Sequence, residues 1–285
     1  MQTINSIKEM QTFSISTIDE GQSIAFVPTM GSFHAGHISL MEEGKRRGDC
    51  LVVSIFVNPT QFGAGEDYAN YPRDMERDKQ LAEAAGVDII FAPRVAEMYP
   101  PNYQTYVNVE EVTKNLCGLS RPTHFRGVVT VVCKLFGIVK PHVTIFGEKD
   151  FQQLVAIRQM VSDLNLDVTI VGMPICREED GLALSSRNTY LTANERKAAR
   201  CLFRSLMRAN ELFKEGERKT NDILRNVMAV IEAEPLANVD YVKICDAKTL
   251  KDVGEIHQVS VLALAVKIGK ARLIDNIVLN PSDGL

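Results

Sequence analysis

The 285-residue chain has no tryptophan, and its six cysteines never fall into a C-x-x-C spacing. Scattered thiols at Cys50, Cys117, Cys133, Cys176, Cys201 and Cys245 argue against a cysteine-built metal site and fit reduced thiols in the cytosol. No apolar run approaches the roughly 20 residues of a membrane span. The start, Met1-Gln2-Thr3-Ile4-Asn5, lacks a basic stretch followed by an apolar one, so nothing points to secretion. Basic excess is missing too: the net charge is −4, which argues against a general nucleic-acid binder. Walker A, G-x-G-x-x-G and G-x-S-x-G patterns are absent, and the common NTPase, dehydrogenase and hydrolase readings lose their main support. What remains is a soluble, cytoplasmic chain long enough for two domains of unequal size.

The informative stretch runs from Ile24 to His37. An apolar segment, Ile24-Ala25-Phe26-Val27, ends at Pro28-Thr29; Met30-Gly31-Ser32-Phe33-His34-Ala35-Gly36-His37 follows, and a helix-like segment continues to Lys45. A buried strand turning into a helix places its turn at the carboxyl edge of an α/β sheet. His37 then lies in the first helical turn, where unpaired N–H groups and the dipole favour an anion. His34 and His37 read as donors to phosphate. Two histidines at this spacing would also suit a metal, but His124, His142 and His257 stand apart and supply no further close ligand pair.

Cys50 to Val57 is a second strand, closed by the loop Asn58-Pro59-Thr60-Gln61-Phe62-Gly63. Pro72 to Ala85 is an expected helix, Val87 to Ala92 a strand, Arg126 to Val139 a helix whose Val-rich start equally suggests a strand, Val143 to Phe146 a strand, Gln152 to Leu164 a helix and Asp167 to Val171 a strand. This alternation predicts an α/β fold, a Rossmann-like doubly wound parallel sheet over residues 1–179. Residues 180–285 form a smaller C-terminal α+β domain, with one helix over 194–215, another over 221–233, and strands at Val239–Cys245 and Val259–Ile268.

Polar residues gather just after the strands, where open sheets bind ligands. Lys149, in Gly147-Glu148-Lys149-Asp150, suits phosphate as a point charge. Gln61 and Gln153 offer donor and acceptor to a hydroxy acid. Ser185-Ser186-Arg187, after Leu184, resembles a loop for a leaving pyrophosphate, and equally a capping loop. Ser120 to Arg126 is a further basic loop or a capped helix entry.

In order along the chain, Pro28–His37, Phe56–Phe62, Gly65-Glu66-Asp67, Tyr71-Pro72-Arg73, His124–Val128, Phe146–Gln153 and Leu184–Asn188 resemble the motifs of the pantothenate synthetases (pantoate–β-alanine ligases). Two departures stand out: Ala35 replaces a usual acidic residue, and Thr123 a usual glycine. The resemblance implies a homodimeric ligase of the coenzyme A pathway. It would condense (R)-pantoate with β-alanine, using ATP and Mg2+, through a pantoyl adenylate. It also implies roles. His37, His34, Lys149 and Arg187 would serve the chemistry. Met30, Gly31, Ser32, Phe33, Ala35, Gly36, Gly147, Glu148, Asp150, Cys176, Leu184, Ser185 and Ser186 would contact the nucleotide, and Gln61 and Gln153 would hold pantoate. Metal ligands are not assigned. The alternatives are an H-x-G-H nucleotidyltransferase with another acceptor, such as phosphopantetheine or nicotinamide mononucleotide, and a non-catalytic nucleotide sensor.

Overall fold

The computed structural model describes residues 1–284. In chain order the elements are β1 (Gln2–Ile4), α1 (Ile7–Asp19), β2 (Ile24–Thr29), α2 (Ala35–Arg47), β3 (Cys50–Ile55), α3 (Met75–Ala84), β4 (Ile89–Phe91), α4 (Val95–Met98) and α5 (Cys117–Ser120). They continue with α6 (His124–Val139), β5 (Val143–Gly147), α7 (Phe151–Asp163), β6 (Thr169–Met173), α8 (Ala193–Ala198), α9 (Arg200–Lys214), α10 (Thr220–Glu232), β7 (Ala237–Asp246), β8 (Ser260–Ile268) and β9 (Ala271–Leu279).

The chain forms two units. The first comprises residues 1–109, 123–148 and 153–174; among the described residues the second comprises 110–122, 149–152 and 175–284. The division expected at residues 179 and 180 thus falls at Pro174 and Ile175, and two earlier segments join the second unit. Side-chain amides explain those additions. Gln152, 6% exposed, accepts from the Cys117 N–H through Oε1 and donates to the carbonyls of Val112 and Asn115 through Nε2. Asn276 donates to the Lys149 carbonyl at 3.0 Å.

The first unit is a six-stranded parallel sheet in the order β1-β4-β3-β2-β5-β6. Its central strands are buried on both faces, so their residues are apolar without alternation: Ile24 to Val27 and Leu51 to Val53 are inaccessible to solvent. Each large side chain buried there contributes ~1.5–3 kcal/mol. From β2 the chain winds outward to β3 and β4, then returns to β5 on the other side of β2. The order therefore reverses between β2 and β5, and the crevice beyond their carboxyl ends is where such sheets take ligands. Val-rich α6 is a helix: its buried residues, among them Phe125, Val128, Val132, Leu135 and Val139, recur at helical spacing.

The second unit carries a three-stranded antiparallel sheet, β7-β8-β9, with α9 and α10 over it. Leu202, Leu206, Ile223, Val227, Leu262 and Leu264 form the core of this unit. The helix expected over 194–215 is two helices, because a tighter turn at Ala199 (Leu202 N–H to Ala199 O, 3.2 Å) separates α8 from α9. Helix α3 starts at Met75 rather than near Pro72, because the Asp74 carboxylate caps it by accepting from the Arg77 N–H.

Candidate active site

The chain leaves β2 through a turn in which successive N–H groups each have a protein acceptor. Gly31 donates to Thr29 Oγ1 at 3.1 Å, and Ser32 and Phe33 donate to the two carboxylate oxygens of Asp78 at 2.7 Å each. His34 donates to Nδ1 of His37 at 3.3 Å. Gly31 (φ +81°) and Ser32 (φ +56°) are consecutive left-handed residues. A Cβ on Gly31 would stand 2.9 Å from Asp78 Oδ2, so only glycine suits both the angle and the space.

His34 is the N-cap of α2, and Ala35, Gly36 and His37 are its first three helical residues. Ala35 and Gly36 therefore hold the N–H groups that precede the first intrahelical acceptor. The two imidazole rings lie 4.1 Å apart between centroids, and Phe33, 1% exposed, packs 5.4 Å from the His37 ring. Because Nδ1 of His37 accepts a hydrogen bond, its neutral ring carries the proton on Nε2. The loop N–H groups from Gly31 to Phe33 are thus taken by protein acceptors.

Beyond β3, Asn58 is 1% exposed and every capacity of its amide is used. Its Oδ1 accepts from the Thr60 N–H, the Thr60 hydroxyl and the Tyr99 hydroxyl (3.3, 2.9 and 2.9 Å). Its Nδ2 donates to the Gly127 carbonyl at 3.1 Å and to Gln61 Oε1 at 3.0 Å. That contact turns Gln61 Nε2 toward the Met30 sulfur, 3.2 Å away. Thioether sulfur is a weak acceptor. His124 Nδ1 donates to the Gln61 carbonyl at 2.9 Å. Gly127 is required here, since a Cβ would lie 2.3 Å from the Thr60 carbonyl oxygen. Burial pushes the Tyr99 phenol up to about 12, so it stays a donor at neutral pH. A cavity of about 400 Å³ opens beside Met30 and Gly31, with Phe56, Tyr68, Arg73 and Asp78 among its walls.

In the second unit, Lys149 is 20% exposed and its ammonium stands 3.9 Å from Asp150 Oδ2, a loose ion pair. Residues 176–184 fold back on themselves: Leu184 donates to the Cys176 carbonyl at 3.0 Å, and Arg177 bridges Ala183. Arg177 is locked to buried Asp275 by two hydrogen bonds, at 2.7 and 2.9 Å. A short 3-10 turn, Ser186–Tyr190, follows. Ser185 caps it by accepting from the Arg187 N–H at 3.3 Å, so the capping role holds for Ser185. Thr123, by contrast, makes no side-chain cap at α6, and Ser120 donates to Asp240 instead.

Of the residues singled out by sequence, Met30–His37, Gln61, Gly147, Glu148 and Gln153 belong to the first unit. Lys149, Asp150, Cys176 and Leu184–Arg187 belong to the second.

A family model described as pantoate-beta-alanine ligase matches residues 2–278. The chain belongs to that family. The pantothenate synthetase of Syntrophus aciditrophicus (strain SB) is 62% identical over 276 residues, covering 97% of this chain and 96% of that one. A crystal structure of pantothenate synthetase from Thermus thermophilus superposes with a TM-score of 0.93 at 43% identity, over 99% of this chain and 100% of that one. A pantoate-beta-alanine ligase from Francisella tularensis, described as complexed with beta-gamma ATP and beta-alanine, has a TM-score of 0.81 at 34% identity, covering 98% and 97%. As a pantoate–β-alanine ligase the chain is a carbon–nitrogen ligase that makes pantothenate.

Four supporting residues of this ligase were not among the expected site residues: Asp78, Tyr99, His124 and Asn276. None sits beside the residue it holds in sequence, and an ordinary Asp or Tyr in a polar stretch carries no local signal. Among the described residues no group of three or more His, Cys, Asp or Glu side chains could hold a metal ion. No helix there is long and apolar enough to cross a membrane.

Proposed function

We propose that the reaction runs in two steps, with ATP as co-substrate and a pantoyl adenylate between them. A pantoate carboxylate oxygen attacks the α-phosphorus; the bond from that phosphorus to the bridging oxygen breaks, and pyrophosphate leaves. The neutral amine of β-alanine then attacks the acyl carbon, AMP departs with the carbon–oxygen bond's electrons, and the amine proton passes to solvent. No protein nucleophile is needed. Rate comes from positioning and from charge placed where charge develops.

The observation that carries this reading is the His34–His37 pair at the β2–α2 turn, with Nε2–H on His37 as a neutral donor. In it His37 and His34 donate to phosphate oxygens while Ala35 and Gly36 offer N–H groups. Met30, Gly31, Ser32 and Phe33 shape the nucleotide edge with Gly147, Glu148 and Asp150. Gln61 and Gln153 hold pantoate, and a substrate oxygen replaces the weak Met30 sulfur as partner of Gln61 Nε2. Lys149 neutralises the triphosphate. Leu184 and Cys176 contact the nucleotide, and Ser185, Ser186 and Arg187 surround the leaving pyrophosphate and keep water from the adenylate. Mg2+ enters as part of the nucleotide substrate, because such ions keep several waters and rely on phosphate oxygens. The enzyme works as a cytoplasmic homodimer.

The test is product analysis. With pantoate, β-alanine and ATP present, AMP and pantothenate are expected in equal amounts, and omission of any one substrate stops pantothenate formation. Release of ADP in place of AMP would overturn the adenylate route.

A further inference from the structure

Asp78 lies in the first half of α3, 45 residues along the chain from Phe33 in the turn it holds, and is 1% exposed. A carboxylate this buried must have its oxygens satisfied. Here both are, by the N–H groups of Ser32 and Phe33 at 2.7 Å each. The preceding residue of the same helix, Arg77, donates from Nη1 to the Phe33 carbonyl at 3.2 Å. Helix α3 therefore grips both polar groups of Phe33 and one of Ser32. The gripped segment needs holding, because Gly31 and Ser32 are consecutive left-handed residues and Ser32 has a Cβ. Directly after it come His34, the cap of α2, and His37, whose tautomer depends on the His34 N–H.

We infer that Asp78 is a positioning residue for the transfer to the α-phosphorus: it fixes the strained turn that sets the direction of the His34 N–H, and through it the Nε2–H of His37. The inference rests on the reading of His37 as a phosphate donor. It assigns Asp78 no contact with substrate. Its effect is on how well His37 meets a charge that exists in the transition state, and so on kcat rather than on ground-state binding. A misplacement of about 1 Å in such a group is enough for about 10²-fold in rate.

Asp78→Asn keeps the shape but sets an NH2 group against one of the two backbone N–H donors. The folded variant is expected to lose about 10²-fold in kcat for pantoate-dependent pyrophosphate exchange into ATP, with KM for ATP and pantoate within about threefold of the parent. Nitrogen-15 NMR of the imidazoles should show His37 leaving its single Nε2–H tautomer, a signature that mere loss of stability does not produce. If Asp78→Asn does not fold, Arg77→Ala removes the weaker grip from the same helix and should lower kcat by about threefold to tenfold at unchanged KM. Parent-like kcat in folded Asp78→Asn, or KM values that rise as far as kcat falls, would overturn the positioning role, as would an unaltered kcat in Arg77→Ala if Asp78→Asn does not fold. His37→Ala run alongside separates the two claims: if it abolishes exchange while Asp78→Asn does not, the phosphate-donor reading stands and the positioning role falls; if His37→Ala leaves exchange intact, the donor reading itself falls.

Discussion

The backbone N–H of His34 donates to Nδ1 of His37 at 3.3 Å, and this bond decides which nitrogen of the neutral His37 ring carries the proton. An imidazole held this way is a donor at Nε2 without carrying charge. Side chains that copy one nitrogen or the other should therefore behave differently. His37→Gln can place an N–H near the Nε2 position, while His37→Asn can replace only the acceptor near Nδ1. Single-turnover adenylate formation should fall by ~10²-fold or more in His37→Asn and in His37→Ala, and by less in His37→Gln. Equal losses in all three would mean that the Nε2–H is not the working group.

In the proposed site Tyr99 acts on pantoate at one remove, because its hydroxyl holds Asn58 and Asn58 holds Gln61. Tyr99→Phe removes one of three donors to Asn58 Oδ1 and loosens the amide that orients Gln61, at a cost of ~1 kcal/mol. Pantoate KM should rise several-fold while ATP KM stays level. Gln61→Ala and Gln153→Ala should each have larger effects of the same kind, ~1–3 kcal/mol. Steady-state kinetics with either substrate varied will check this; matched changes in both KM values would remove the glutamines from the pantoate site.

Arg187→Ala tests the proposed shielding of the adenylate by the Ser185–Arg187 loop. Loss of the guanidinium should slow adenylate formation and also raise the share of AMP produced without pantothenate, because water reaches the intermediate. The ratio of AMP to pantothenate at limiting β-alanine is the readout. A ratio of one in the variant would argue that Arg187 takes no part in excluding water.

Acid should weaken the second unit through Asp246. Burial acts to raise its pKa, but hydrogen bonds from the Thr249 hydroxyl and N–H and from the Lys248 N–H outweigh burial and hold the carboxyl below its ordinary value. A lowered folded pKa means stability that is present above the unfolded value of roughly 3.9 and lost as pH falls through the folded one. Thermal unfolding scans from pH 6 to pH 3 should show a shallower fall in Tm for Asp246→Asn than for the parent, from a lower starting point. Parallel curves would contradict that assignment.

The parallel sheet was legible because its middle strands are buried on both faces and read as apolar runs, as Cys50 to Val53 does. The edge of that sheet was not: β1 has three residues and no pattern of its own. Strand β9 was hidden for a chemical reason. Asp275 and Asn276 interrupt its apolar residues, yet both are buried, one against Arg177 and the other against the Lys149 carbonyl. The site divides in the same way. His34, His37 and Gln61 announce themselves by residue type and by position after strands. Asp78 and Tyr99 do not, because their partners lie some 45 and 41 residues away. Long-range hydrogen bonds leave no trace in local spacing.

The order of events is the central claim, and isotope exchange tests it most directly. Labelled pyrophosphate should enter ATP in the presence of pantoate with no β-alanine added, and exchange should vanish when pantoate is omitted. An absolute requirement for β-alanine would contradict a free-standing adenylate and require all three substrates to react in one concerted step.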